Sequence, residues 1–91
     1  MTIMGEGIKR YIIKPHARLE MERRQITEEQ VKNVLSSPGQ ILSLERGRKI
    51  FQARLKVGEK EYLFRAFVDM DPSPPEVVTV YRTSRIAKYW R

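Results

Sequence analysis

The hydrophobic pattern of this chain changes from a helical to an alternating period at residues 36 to 39, which read Ser-Ser-Pro-Gly. Before this break, Val31, Val34 and Leu35 recur at the spacing of one helix face. After it, apolar and polar residues alternate, most clearly over residues 49 to 57, as in a strand with one buried face. Proline cannot continue helical hydrogen bonding, so the break ends a helix. The pattern predicts an α+β domain with its helices before its main sheet.

A capping box marks the start of the second helix. Thr27 is the predicted N-cap, Gln30 its reciprocal partner, and Ile26 and Val31 the hydrophobic staple across them. A first helix is predicted over residues 15 to 24, because proline is tolerated in the first helical turn. The two helices are therefore expected to form a hairpin with a very short joint.

The remaining pattern predicts strands and one more short helix. The order is β-α-α-β-β-β-β-α, with an antiparallel meander packed on an N-terminal strand and helical hairpin. Ninety-one residues is the length of a single domain, residues 1–91, of which residues 1–7 are expected to be a flexible terminus. The predicted strands cover residues 8–13, 41–44, 49–57, 61–69 and 77–82, and Ser84 is expected to cap the final helical turn.

Composition excludes several classes of function. The chain has no cysteine, so it has no disulfide, thiolate zinc site or cysteine nucleophile. His16 is its only histidine, and neither a metal nor any other cofactor is expected. Asp69 and Asp71 would suit a magnesium ion near a phosphate, with a solvated loop edge as the alternative. The sequence shows neither an apolar run long enough for a membrane span nor a leader, so a cytoplasmic location is expected.

The net charge of +7 is segregated along the chain. Residues 9–24 and residues 44–60 each carry six basic and two acidic residues, and residues 82–91 carry four basic residues and no acid. The rest of the chain has two basic residues and seven acids. Segregated charge favours a basic face that binds a polyanion such as RNA. A generally soluble charged surface is the alternative.

The polar residues suit a metal-independent ribonuclease. Cleavage of RNA through its own 2′-hydroxyl needs a base, an acid and cations that stabilise the phosphorane. Histidine is the side chain type whose ordinary pKa lies nearest neutrality, so His16 is the candidate acid or base, and a helix-start role is the alternative. Arg65 in an apolar strand needs a phosphate or a carboxylate such as Glu20. The predicted catalytic residues are His16, Arg23, Arg65, Tyr81 and Arg82, and the predicted nucleic-acid-binding residues are Arg18, Arg24, Arg48, Lys49, Arg54, Arg85, Lys88 and Tyr89.

Four segments carry a family resemblance: His16-Ala17-Arg18, Met21-Glu22-Arg23-Arg24, the capped helix start at residues 26 to 31, and Val78-Thr79-Val80-Tyr81. Together they resemble the bacterial family called domain of unknown function 4258, over about residues 10 to 90. That family is thought to be related to the RelE, ParE and BrnT toxins of toxin-antitoxin pairs. The resemblance implies a RelE-like fold, with an N-terminal helical hairpin against a curved antiparallel sheet. It also implies a toxin that cleaves mRNA or an inactive relative, with a cognate antitoxin as partner.

Three functional hypotheses follow from the sequence. The first is a toxin-like, metal-independent endoribonuclease with His16 as acid or base. The second is a non-catalytic module that binds RNA or a protein partner through basic residues such as Arg82, Arg85 and Lys88. The third is an adaptor that forms a homodimer through the aromatic C-terminal residues Tyr89 and Trp90. Relatives of the toxin class include gyrase poisons, so the fold alone does not decide among these hypotheses.

Overall fold

The computed structural model describes the backbone of residues 2–3 and the whole of residues 6–91. The segment that was expected to be flexible, residues 1–7, includes residues 1, 4 and 5, which lie outside the described residues, and its flexibility stays a prediction. In chain order the elements are β1 (Thr2–Ile3), β2 (Ile12–Ile13), α1 (Pro15–Arg24), α2 (Glu28–Ser36), β3 (Gln40–Ser43), β4 (Arg48–Val57), β5 (Lys60–Asp69), β6 (Glu76–Thr83) and α3 (Ile86–Tyr89).

The strands form one sheet in the order β1-β3-β4-β5-β6-β2. Four of the five pairings are antiparallel, as predicted, but β2 runs parallel to β6. The predicted meander, β3 to β6, is therefore confirmed as antiparallel, whereas the N-terminal strand, which was predicted to pack on the sheet, joins its edge instead. The predicted strand over residues 8–13 is also too long, because the Ile8 amide donates to the carbonyl of Leu35 at the end of α2, and only Ile12–Ile13 reach the sheet.

Local sequence explains both long helices. Thr27 Oγ1 accepts from the Gln30 amide at 3.1 Å, and Gln30 Oε1 accepts from the Thr27 amide at 2.9 Å, which confirms the predicted capping box. The first helix begins at Pro15 as predicted and ends before Gln25, whose φ of 53° is left-handed. The helix α1 packs chiefly against β6, whereas α2 packs against β4 and β5.

One face of the sheet forms the main hydrophobic core with α1 and α2, and we call it the helix-covered face. Alternate residues of the strands point into this core, with Phe51 and Ala53 from β4 and Phe64 and Ala66 from β5. This confirms the alternation read from residues 49 to 57. The intervening residues of these strands point to the opposite side, which we call the second face. No helix in the described part of the chain is long and apolar enough to cross a membrane.

The short C-terminal helix α3 is present, but its predicted cap is wrong. Arg85, not Ser84, occupies the N-cap position, and its side chain makes no capping hydrogen bond. The hydroxyl of Thr83 accepts from the Arg85 amide at 3.1 Å instead. Since α3 has only four residues, tertiary contacts with the second face must hold it.

Candidate anion-binding site

A row of polar side chains crosses four strands on the second face. The strand register places Gln40 opposite Gln52, Gln52 opposite Arg65, and Arg65 opposite Tyr81. Gln52 donates to Gln40 Oε1 at 2.8 Å and accepts at its own Oε1 from Arg65 Nε, also at 2.8 Å. Arg65 Nη1 donates to the hydroxyl of Tyr81. The hydrogen bonds thus run continuously from β3 to β6.

Aromatic rings surround the guanidinium of Arg65 on this row. Its central carbon lies 4.4 Å from the ring centroid of Tyr89, 5.6 Å from that of Phe67 and 5.7 Å from that of Tyr81. These distances are within the range of cation–π attraction. The rings of Tyr81 and Tyr89 make an edge-to-face contact, with centroids 6.4 Å apart and an interplanar angle of 76°. We call Gln52, Arg65, Phe67, Tyr81 and Tyr89 the Arg65 site.

The charge of Arg65 has no anionic partner in the described residues. The residue is only 7% exposed, and no carboxylate among them lies within ion-pair distance of its guanidinium. The expected alternative partner, Glu20, pairs with Arg24 instead. A buried cation that lacks an anion is costly, because desolvation is not offset by Coulomb attraction. The Arg65 site is therefore electrostatically incomplete.

One guanidinium nitrogen of Arg65 reaches solvent. The hydrogen bonds to Gln52 and Tyr81 use Nε and Nη1, and no described residue accepts from Nη2. No fully buried side-chain nitrogen or oxygen in the described part of the chain lacks a partner, so Nη2 is not fully buried. Nη2 is therefore a hydrogen-bond donor of the Arg65 site that no described residue uses.

The C-terminal residues lie across the row and complete the site. Gln52 Nε2 donates to the Tyr89 carbonyl at 3.3 Å, and Gln40 exchanges two hydrogen bonds with the main chain of Arg91, at 2.7 and 3.1 Å. The ring of Trp90 lies so close to Gly39 that a β-carbon there would come within 2.6 Å of it. The two glutamines therefore position Tyr89 over Arg65.

Two more cations lie beside the Arg65 site, Arg54 on β4 and Lys88 in the C-terminal segment. The guanidinium of Arg54 lies 5.3 Å from the Trp90 ring centroid, and the ammonium of Lys88 lies 5.4 Å from that of Tyr89. Arg54 is also paired with Glu61 at 3.4 Å. Of the predicted site residues, the structure thus brings together Arg54, Arg65, Tyr81, Lys88 and Tyr89.

His16 and Arg24 lie elsewhere, at the outer edge of β6. His16 Nε2 is 3.5 Å from Glu20, and Arg24 is 3.1 Å from the same carboxylate. The His16 side chain is 70% exposed and contacts no member of the Arg65 site among the described hydrogen bonds and ion pairs. His16 was predicted to act with Arg65 and Tyr81 as a catalytic residue, but it shares no hydrogen bond or ion pair with either of them in the described residues.

The other predicted residues are also dispersed. Arg82 projects from the helix-covered face, where its guanidinium lies 4.9 Å from the Tyr62 ring centroid. Lys49 belongs to the same face by strand alternation. Arg18 pairs with Glu28 at 3.4 Å, Arg23 is exposed on α1, and Arg85 precedes α3.

Arg48 is engaged by Asp69 at the far end of the same strands. Its Nε donates to Asp69 Oδ1 at 2.7 Å and its Nη2 to Oδ2 at 3.3 Å, in a two-point pairing. The hydrogen bond from Arg48 lowers the pKa of Asp69, and the same bond raises the pKa of Arg48. Because this carboxylate already neutralises Arg48, the residue is less available to an RNA phosphate than Arg65 is.

Sequence reasoning missed the two glutamines and Phe67. Gln52 was expected on a polar face exposed to solvent, yet it has no exposed surface at all. One signal in the sequence could have indicated the burial of Gln52. Arg65 lies in an apolar strand and, if buried, requires hydrogen-bond acceptors, and the neighbouring predicted strand contains Gln52.

Comparison with known proteins adds one match. The family model described as Domain of unknown function (DUF4258) matches residues 13–82. This range includes α1, α2, β3, β4, β5 and all of β6 except its last residue, and it contains Gln52, Arg65 and Tyr81. No curated protein and no solved structure matches the chain.

Proposed function

The chain belongs to the DUF4258 family, and we propose that it binds single-stranded RNA by holding a backbone phosphate at Arg65. The observation that carries this proposal is the buried guanidinium of Arg65, which lacks a carboxylate partner in the described residues while one of its nitrogens reaches solvent. A phosphate would supply the missing negative charge. The planar guanidinium suits two phosphate oxygens.

The surrounding side chains favour a nucleic acid over a free inorganic anion. Tyr89, Tyr81 and Phe67 lie around the phosphate position, and the Trp90 ring lies further along the same surface. Aromatic side chains stack on unpaired bases, which expose their faces only in single strands. Arg54 and Lys88 add positive charge beside these rings, as phosphates on either side of a bound base would require.

A comparison of single-stranded with double-stranded RNA tests this proposal. We expect the protein to bind a short single-stranded RNA in the presence of a chelator, and to bind the same sequence as a duplex at least about tenfold more weakly. Fluorescence anisotropy at several salt concentrations measures both affinities, and each phosphate contact should add about −0.7 to the slope of log K against log salt. Equal affinity for both forms, or no binding to the single strand, would contradict the proposal.

A metal-independent endoribonuclease of toxin type is the second candidate function. The observation that favours it is the hydrogen bond between Arg65 and the Tyr81 hydroxyl, which places a proton donor beside the phosphate position. In such a reaction the 2′-hydroxyl gives its proton to a solvent water as its oxygen bonds to phosphorus. Arg65 stabilises the phosphorane, and Tyr81 protonates the 5′-oxygen as its bond to phosphorus breaks. His16 would take no part, because it lies at the β6 edge.

The cleavage candidate has a distinct readout. If Tyr81 acts as the acid, labelled RNA incubated in chelator should yield fragments that end in a 2′,3′-cyclic phosphate, and Tyr81→Phe should abolish them. RNA with a 2′-deoxy substitution at the cleaved position should stay intact, since it lacks the nucleophile. Intact RNA under conditions where the protein is bound would leave binding as the function and exclude cleavage.

A further inference from the structure

The outer edge of β6 is only partly covered by another strand. The two-residue strand β2 pairs with Glu76 and Val77, and the Lys14 amide that follows it donates to the Val77 carbonyl at 3.0 Å. The chain then enters α1 at Pro15. Beyond Val77, the outer edge of β6 therefore has no strand beside it in the described part of the chain.

Two side chains of α1 take the place of that missing strand. Arg24 Nη1 donates to the Val80 carbonyl at 2.9 Å, and the Val80 amide donates to Glu20 Oε1 at 3.4 Å. Glu20 and Arg24 lie one helical turn apart and are 3.1 Å from each other, and His16 contacts the same carboxylate. Side chains thus satisfy the Val80 amide and carbonyl that a neighbouring strand would otherwise bind.

The main chain of Arg82 is left open at the same edge. Main-chain groups in a strand alternate between its two sides, so Arg82, two residues after Val80, also points its amide and carbonyl outward. Neither group makes a hydrogen bond outside the sheet in the part of the chain that the structure describes. The outer edge of β6 from Val80 to Thr83 is therefore able to pair with another strand, and α1 binds its outward main-chain groups only at Val80.

We propose that Glu20 and Arg24 block a β-strand docking edge on β6, and that the occupant of the unblocked edge is β6 of a second copy. The outward groups of Val80 and Arg82 are self-complementary in an antiparallel pair centred on Tyr81. Val80 of each copy would then exchange hydrogen bonds with Arg82 of the other, which closes the assembly as a dimer. This inference is independent of RNA binding.

Light scattering across protein concentration tests the inference. The wild-type protein should keep one molar mass, whereas Glu20→Ala/Arg24→Ala should rise to twice that mass as concentration increases. High salt should strengthen the association, because it screens the repulsion between two chains of net charge +7. The matched control is Glu22→Ala/Arg23→Ala, which removes the same charges from the same helix and should behave as the wild type.

Further variants test whether the association uses the outer edge of β6 and distinguish it from unfolding or nonspecific aggregation. Arg82→Pro in the double variant removes the open amide and should restore a single mass. The proposal is overturned if the double variant folds, as judged by circular dichroism, but keeps one mass. It is also overturned if the double variant forms species larger than a dimer, or if the matched control associates in the same way. Should the double variant fail to fold, Glu20→Ala/Arg24→Met keeps an apolar side chain of similar length on α1 while still freeing both main-chain groups of Val80, and the absence of any mass increase in this variant overturns the proposal equally.

Discussion

Replacing Arg65 with methionine should weaken binding of single-stranded RNA by about 10- to 100-fold. A hydrogen bond between charged groups contributes about 1.5–3 kcal/mol, which corresponds to this range of affinity. The fold should survive at a cost of about 1–3 kcal/mol, because Gln52 Oε1 loses its donor while methionine has a similar length and avoids the desolvation of a buried charge. Anisotropy titrations with one single-stranded RNA in chelator measure the change.

Charge-matched variants separate the phosphate contact from a general loss of positive charge. Arg23→Met removes one charge from an exposed position on α1 and should weaken binding by much less than tenfold. Arg65→Lys keeps the charge but loses the planar fork, so its affinity should fall between those of the wild type and Arg65→Met. If Arg65→Met and Arg23→Met had the same affinity, Arg65 would not be the phosphate-binding residue.

Gln52→Ala should lower the free energy of unfolding by about 3 kcal/mol. Gln52 is wholly buried, and its removal leaves Arg65 Nε and the Tyr89 carbonyl without their hydrogen-bond partner, whereas Gln40 Oε1 still accepts from the Arg91 amide. Each such group costs about 1–3 kcal/mol. In a domain of this size the melting temperature should fall by roughly 12 to 24 °C, as measured by calorimetry or circular dichroism.

An exposed position on the same strand provides the control for Gln52. Lys56→Ala in β4 should change stability by no more than about 0.5 kcal/mol, because its side chain is exposed. Gln52→Ala should also weaken RNA binding, since the alanine no longer orients Arg65 Nε or the Tyr89 carbonyl. A Gln52→Ala protein as stable as Lys56→Ala would show that the polar row does not hold the second face together.

Local signals predicted much of the fold. The capping box at Thr27 and the proline start at Pro15 fix both long helices within a few residues, because these signals depend only on neighbours in sequence. Alternation over residues 49 to 57 likewise gave the correct face for Phe51 and Ala53. Each of these predictions concerns a single element, so the local sequence was sufficient to make it, and the structure confirms them.

The candidate site was harder to predict, because it depends on contacts between distant elements. The sequence grouped His16 with Arg65 by chemistry, whereas α1 lies against the helix-covered face and Arg65 projects from the second face. Burial of Gln52 and Arg65 arises where the C-terminal residues cross the sheet, and no local pattern specifies where that segment docks. The parallel pairing of β2 with β6 is a long-range contact of the same kind.

The most direct test of the central claim follows the side chain of Arg65 itself by nuclear magnetic resonance. The Nε–H resonance of Arg65, assigned by its loss in Arg65→Met, is recorded while a short single-stranded RNA is added in chelator. A phosphate bound at the guanidinium should shift this resonance progressively and saturate with the same dissociation constant that anisotropy gives. An Arg65 resonance that stays unchanged while the RNA is bound would contradict the account.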